Sequence, residues 1–215
     1  MENVTSLSVT KLDKSRFIKP LRLNYTQNGI EKVWDMGASH ESVAIVIFNK
    51  SKKSFILVKQ LRPAVLYNEV IPSDIEDLDK VNDILKDLPE DIGKKGITLE
   101  LCAGIVDKAK SLSQIATEEV EEECGFKLSK PIEFVQKFRA SIGTGGAKMS
   151  LFYAEVTDQD RVSSGGGVAT EGEMIDVVEM TVQEVRDYLA GDDLNSPTFT
   201  LYGLMWALSN RVKDF

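Results

Sequence analysis

Three glutamates, Glu119, Glu122 and Glu123, sit in the segment 104–126, GIVDKAKSLSQIATEEVEEECGF. Successive residues of a helix turn by about 100°, so on a helix these three share one arc of roughly 100°. Glu118 and Glu121 then point to the opposite side, while Ala116, Val120 and Cys124 form an adjacent arc suited to a core. Carboxylates held about 4 Å apart repel by on the order of 4 kcal/mol per pair at an effective dielectric of about 20. A divalent cation cancels that repulsion, and hard oxygen donors suit Mg²⁺ or Mn²⁺ rather than zinc. Ions of this kind bridge phosphate oxygens, polarise phosphorus and acidify water. Spacing alone equally allows a solvated acidic helix face.

The remaining chemistry-bearing residues are few. His40 is the single histidine, which excludes a multi-histidine zinc site and leaves little room for a Ser-His-Asp triad. Cys102 and Cys124 form no disulfide framework and read as small buried hydrophobes in a reducing compartment. A Gly-rich loop, SSGGGVATEGE at 163–173, ends in Glu171 and Glu173. Such a loop can close over a site, and a carboxylate on it can take a proton from an attacking water. Two residues apart in an extended segment, the two acids would point the same way. The alternative is an exposed turn with incidental acids.

The elements that must position these groups follow from periodicity and punctuation. Leu21–Gln27 and Ile30–Asp35 read as strands joined by Asn28-Gly29, a two-residue hairpin signal, after a loose start over 1–17. Val43–Phe48 is a continuous apolar run, as in a strand buried on both faces, and Ser54–Leu61 is a second strand. Residues 69–97 look like an insertion with a helix near 78–88. Thr98–Cys102 is a further strand. Ser111 with Gln114 makes a capping box, and Gly125 supplies the stop of the helix that carries the glutamates. Strands are expected at Ile132–Phe138, Met149–Val156 and Met174–Met180. Two helices follow, one capped by Thr181 with Glu184, the other opening at Ser196-Pro197 with Leu201, Leu204, Met205 and Leu208 on one face.

Bulk composition bounds the reading. The chain has 215 residues, 42% of them hydrophobic and 28% charged, which suits one globular domain with a small appendage. The net charge of −8 argues against a nucleic-acid partner, since no basic patch offsets it. No apolar run reaches the roughly 18 residues of a membrane span, and the start lacks the apolar stretch of a signal peptide. A cytoplasmic protein is expected.

Residues 104–126 resemble the Nudix box, G-x5-E-x7-R-E-U-x-E-E-x-G-U, where U is apolar. Gly104, Glu119, Val120, Glu122, Glu123, Gly125 and Phe126 fall in register. Two positions depart: Lys110 stands where the box has its first Glu, and Glu118 where it has Arg. Glu100-Leu101-Cys102-Ala103-Gly104 is similar to the E-L-P-A-G lead-in of the ADP-sugar and UDP-sugar pyrophosphatases of this family. Gln60-Leu61-Arg62-Pro63 is similar to their substrate-facing strand end, and Glu171-Gly172-Glu173 to their E-x-E loop. A Pro that ADP-ribose hydrolases carry about 16 residues after the box is absent, and Ile142 stands there. Over nearly its full length the chain most resembles the animal branch that acts on UDP-sugars.

That resemblance implies an α/β (α+β) Nudix fold: a mixed sheet between helices over 41–215, preceded by an N-terminal hairpin region over 1–40 that makes a homodimer. It implies Mg²⁺, or Mn²⁺, held by the Ala103 carbonyl, Glu119, Glu122 and Glu123. Glu171 or Glu173 would be the base or a further ligand, with Glu122 also in the catalytic set. Arg62 and Glu100 would serve substrate binding. Arg62 would clamp phosphate or else form a surface ion pair; Trp34 would stack on a base or pack at the dimer contact. The implied reaction turns UDP-glucose and water into UMP and glucose 1-phosphate. Its alternatives are an ADP-ribose or ADP-sugar pyrophosphatase and a non-catalytic nucleotide-binding protein.

Overall fold

The structure, a computed structural model, describes residues 3–15 and 18–212, with the side chain of Glu171 outside the description. Two antiparallel strands come first, β1 (Lys19–Gln27) and β2 (Ile30–Ala38), forming a sheet of their own. Their turn is Asn28-Gly29, both at positive φ, as the hairpin signal requires. Partners across the ladder share a face. Leu21 and Met36, Leu23 and Trp34, and Tyr25 and Lys32 lie on one side. Arg22 and Asp35 lie on the other, joined by two hydrogen bonds of 2.6 and 2.8 Å.

The second sheet has seven strands. β3 (Ser42–Asn49) pairs antiparallel with β4 (Ser54–Leu61) and parallel with β8 (Lys148–Val156), which makes the sheet mixed. β5 (Ile97–Glu100) and β9 (Ile175–Thr181) pair with β4, β6 (Cys102–Ile105) with β3, and β7 (Glu133–Arg139) with β8. The VAIVIF run is apolar throughout because both of its faces are covered. Val43, Ile45 and Ile47 pack with Ile115, Ala116, Val120 and Cys124 of helix α3 (Leu112–Cys124). Ala44, Val46 and Phe48 pack with Val182 and Val185 of α4 (Val182–Leu189) and Leu204 and Ala207 of α5 (Thr198–Asn210). The expected arrangement of a mixed sheet between helices is what the chain adopts.

Several elements differ from expectation. The strand foreseen over Thr98–Cys102 is split between β5 and β6, because the chain changes partner from β4 to β3 at Leu101. The Leu101 N–H, freed from the ladder, donates to Thr200 Oγ at 3.1 Å. A helix absent from the sequence reading, α1 (Pro63–Val70), follows Arg62, with Pro63 in its first turn. The buried stripe of α5 is Thr200, Gly203, Leu204 and Ala207, and Met205 is 58% exposed. Gly203 turns that stripe inward: a Cβ there would stand 2.7 Å from Leu101 Cδ1. Within 69–97 lies the expected helix, α2 (Leu78–Lys86). Its Val81 and Leu85 make a small core with Leu7 and Val9, and Asn82 exchanges hydrogen bonds with the Val9 backbone. Around Leu7 and Val9 the expected loose start is thus packed, while residues 10–14 are exposed. Among the described residues no helix is long and apolar enough to cross a membrane.

Candidate active site

Helix α3 is fixed at both ends by local chemistry. Ser111 Oγ accepts from Gln114 N at 3.2 Å, and Gln114 Oε1 accepts from Ser111 N at 3.0 Å. Gly125, at φ 74°, ends the helix, and its N–H goes to Glu121 O. The apolar arc of α3 presses on β3, which leaves the glutamate arc against β6 and the loops around it.

Glu119 lies directly over Gly104. A Cβ at residue 104 would be 2.2 Å from its carboxyl carbon, so only glycine admits this contact. Burial first, then repulsion from Glu122, raises the Glu119 carboxyl from 4.5 to about 7; Lys108 opposes the shift, and Glu173 adds to it. Glu123 is 3% exposed, and its Oε2 accepts from Ala103 N at 3.0 Å. Burial raises its carboxyl to about 8 against the lowering effect of the hydrogen bonds from Ala103 and the Cys102 thiol. Repulsion from Glu119 and Glu173 adds to that rise. The Cys102 thiol itself is pushed well up, chiefly by burial. Glu122 and Glu121 are exposed.

Arg62 ends β4 and opens α1. Its Nε and Nη2 each donate to a different oxygen of Glu100, both at 2.7 Å. Glu100 is 1% exposed and also accepts from Thr98 Oγ at 2.6 Å. Enclosed in this way, Glu100 braces the Arg62 side chain. Hydrogen bonding to Glu100 raises the Arg62 pKa, and Glu123 and Glu173 contribute through charge. The guanidinium therefore borders the carboxylate cluster. Among the described residues its Nη1 donates to no hydrogen-bond partner.

The two departures from the box meet each other: Lys110 Nζ donates to Glu118 Oε1 at 2.6 Å. Lys108, on the same loop, occupies a position that no motif marks in the sequence. Its pKa is raised first by Glu122, then by Glu119, Glu118 and Asp107, so it supplies a counter-charge to the cluster.

Glu173 Oε2 accepts from Val168 N at 2.8 Å. Glu171 closes a short 3₁₀ turn, Ala169–Glu171, and its side chain lies outside the described residues. Gly172, at φ 80°, separates the two acids, so the segment is not the extended one expected. Trp34 is 51% exposed, and its Nε1 donates to Gly143 O at 2.9 Å. That bond ties the hairpin to the 141–147 loop, as does Gly37 N to Thr144 O at 2.7 Å, and does not bring Trp34 to the carboxylates.

Among the described residues no three acidic, histidine or cysteine side chains already stand at ligand spacing. The donor set nonetheless suits a hard divalent cation. Burial first, with repulsion between the acids added to it, holds protons on Glu119 and Glu123 near neutral pH, and a bound cation would offset both.

No family model matches the chain. It is 38% identical to the uridine diphosphate glucose pyrophosphatase NUDT14 of Bos taurus over 216 residues, covering 97% of this chain and 96% of that protein. The Mus musculus protein of the same name is 36% identical over 219 residues, covering 99% and 97%. A GDP-mannose pyrophosphatase of Cronobacter sakazakii is 29% identical over 156 residues, 73% of this chain and 66% of that protein. Among solved structures, an ADP compounds hydrolase superposes with a TM-score of 0.63 at 19% identity, covering 96% of this chain and 95% of that one.

Proposed function

This chain belongs to the Nudix family of UDP-glucose pyrophosphatases, and we propose that it hydrolyses the diphosphate of UDP-glucose to UMP and glucose 1-phosphate. The observation that carries the reading is the end-to-end match to proteins of that name, together with box glutamates that converge beside an arginine. Glu119, Glu122, Glu123 and the Ala103 carbonyl would hold Mg²⁺ or Mn²⁺. Bound there, such an ion neutralises the diphosphate and acidifies a water.

The chain's own groups do the rest. Arg62, braced by Glu100, offers its remaining Nη1 donors to a phosphoryl oxygen. Bracing removes the cost of ordering a long side chain when substrate arrives. Glu173, or Glu171 beside it, takes the proton from the attacking water. Lys108 tempers the negative field that a diphosphate must enter. The apolar face of the hairpin forms a homodimer contact: Leu21, Leu23, Ile30 and Trp34 are each more than half exposed on it. Two reduced thiols fit a cytoplasmic setting.

A substrate panel with Mg²⁺ tests this reading. UDP-glucose should give the highest kcat/KM, with phosphomonoesters as products. Preference for ADP-ribose or GDP-mannose would move the assignment to another base, and absence of turnover on all three would leave only a binding protein.

A further inference from the structure

The glycine-rich segment before Glu173 does not stand free as a lid would. It runs across the carboxyl end of α3, where the last carbonyls of any helix lack partners within it. Val162 N and Ser163 N donate to Gly125 O at 2.8 and 3.2 Å, Gly166 N to Glu123 O at 2.9 Å, and Gly167 N to Glu122 O at 3.1 Å. The approach is too close for side chains: a Cβ on Gly165 would lie 2.3 Å from Glu123 O. One residue past this contact, Val168 N donates to the Glu173 carboxylate at 2.8 Å. A Cβ on Gly167 would stand 2.5 Å from that same carboxylate oxygen.

We propose that residues 165–168 are a positioning strap, which couples the backbone of Glu122 and Glu123 to the carboxylate of Glu173 and so sets the spacing of the acids. The physical need is plain. Glu173 is exposed and shares its charge with Glu119 and Glu123, so repulsion drives it away from the cluster. A backbone N–H aimed at its oxygen holds the carboxyl group in place. The glycines let the N–H donors reach the helix end and leave room for the carboxylate.

This inference rests on the proposed hydrolytic role of Glu173, and the test separates the two. In the full-length protein, Gly167→Ala places a methyl group against the carboxylate. It should lower kcat to within about tenfold of Glu173→Ala, with KM little changed. The double variant should be no worse than the weaker single one, because both remove one function. Independently of turnover, Glu173→Ala should speed hydrogen exchange at the Val168 amide about tenfold or more, and leave the Gly166 and Gly167 amides protected by the helix carbonyls. Unchanged protection at Val168, or fully additive losses in kcat, would overturn the strap. Normal turnover of Glu173→Ala with a faster Val168 amide would instead remove Glu173 from the reaction and keep the strap as structure.

Discussion

At the scale of single residues, two glutamates carry an unusual load. Glu119 and Glu123 keep their protons up to about pH 7 and 8 in the fold, against an ordinary 4.5. Between those limits the folded chain binds protons that the unfolded chain has released, so stability falls as pH rises. The contribution is complete below about 4.5 and lost once pH passes about 8. Without metal, the melting temperature should therefore decline from about pH 5 to pH 8, and millimolar Mg²⁺ should flatten the decline by favouring the charged forms. Glu123→Gln should remove the upper part of the slope and, by the proposed mechanism, most of the turnover. Glu121→Gln, on the exposed opposite side, should change neither. Calorimetry at stepped pH with parallel assays checks this, and equal effects of the two substitutions would mean that the carboxylate face is misassigned.

At the scale of elements, the loop before α3 is held by Lys110 and Glu118, the two places where the chain leaves the box pattern. Their ion pair is part-exposed, and such a pair is worth at most about 1 kcal/mol. Lys110→Glu and Glu118→Arg should each set like charges together and lower kcat/KM a few-fold. The double variant should recover it, because it restores a pair of reversed polarity. A double-mutant cycle measures the coupling, and purely additive losses would show the bridge to be idle. The helix itself was legible because its signals are local: a cap at Ser111, a stop at Gly125 and carboxylates three and four apart. What stayed illegible depends on contacts distant in sequence. The switch of strand partner at Leu101 needs Thr200, and the enclosure of Glu100 needs Arg62. The glycines at 165–167 were read as freedom to move. The fold uses them for close approach, which a sequence expresses with the same residue.

At the scale of the whole molecule, the hairpin presents an apolar face on which Leu21, Leu23, Ile30 and Trp34 are each more than half exposed among the described residues, beside a polar face stitched by Arg22 and Asp35. An isolated two-stranded sheet is marginal in water, and among the described residues the hairpin's hydrogen bonds to the body are those of Trp34 and Gly37 to the 141–147 loop. Light scattering should give the mass of two chains at micromolar concentration. Leu23→Asp, a buried charge in any such contact, should give the mass of one. A monomeric wild-type protein that keeps full turnover would remove the dimer from the account. The consequence of that exposed face is one of mass action. If a second copy completes this surface, part of the fold's stability depends on protein concentration. Its melting temperature should climb with each tenfold increase in protein, and its turnover per chain should fade on dilution, with no change in any bond within the protomer.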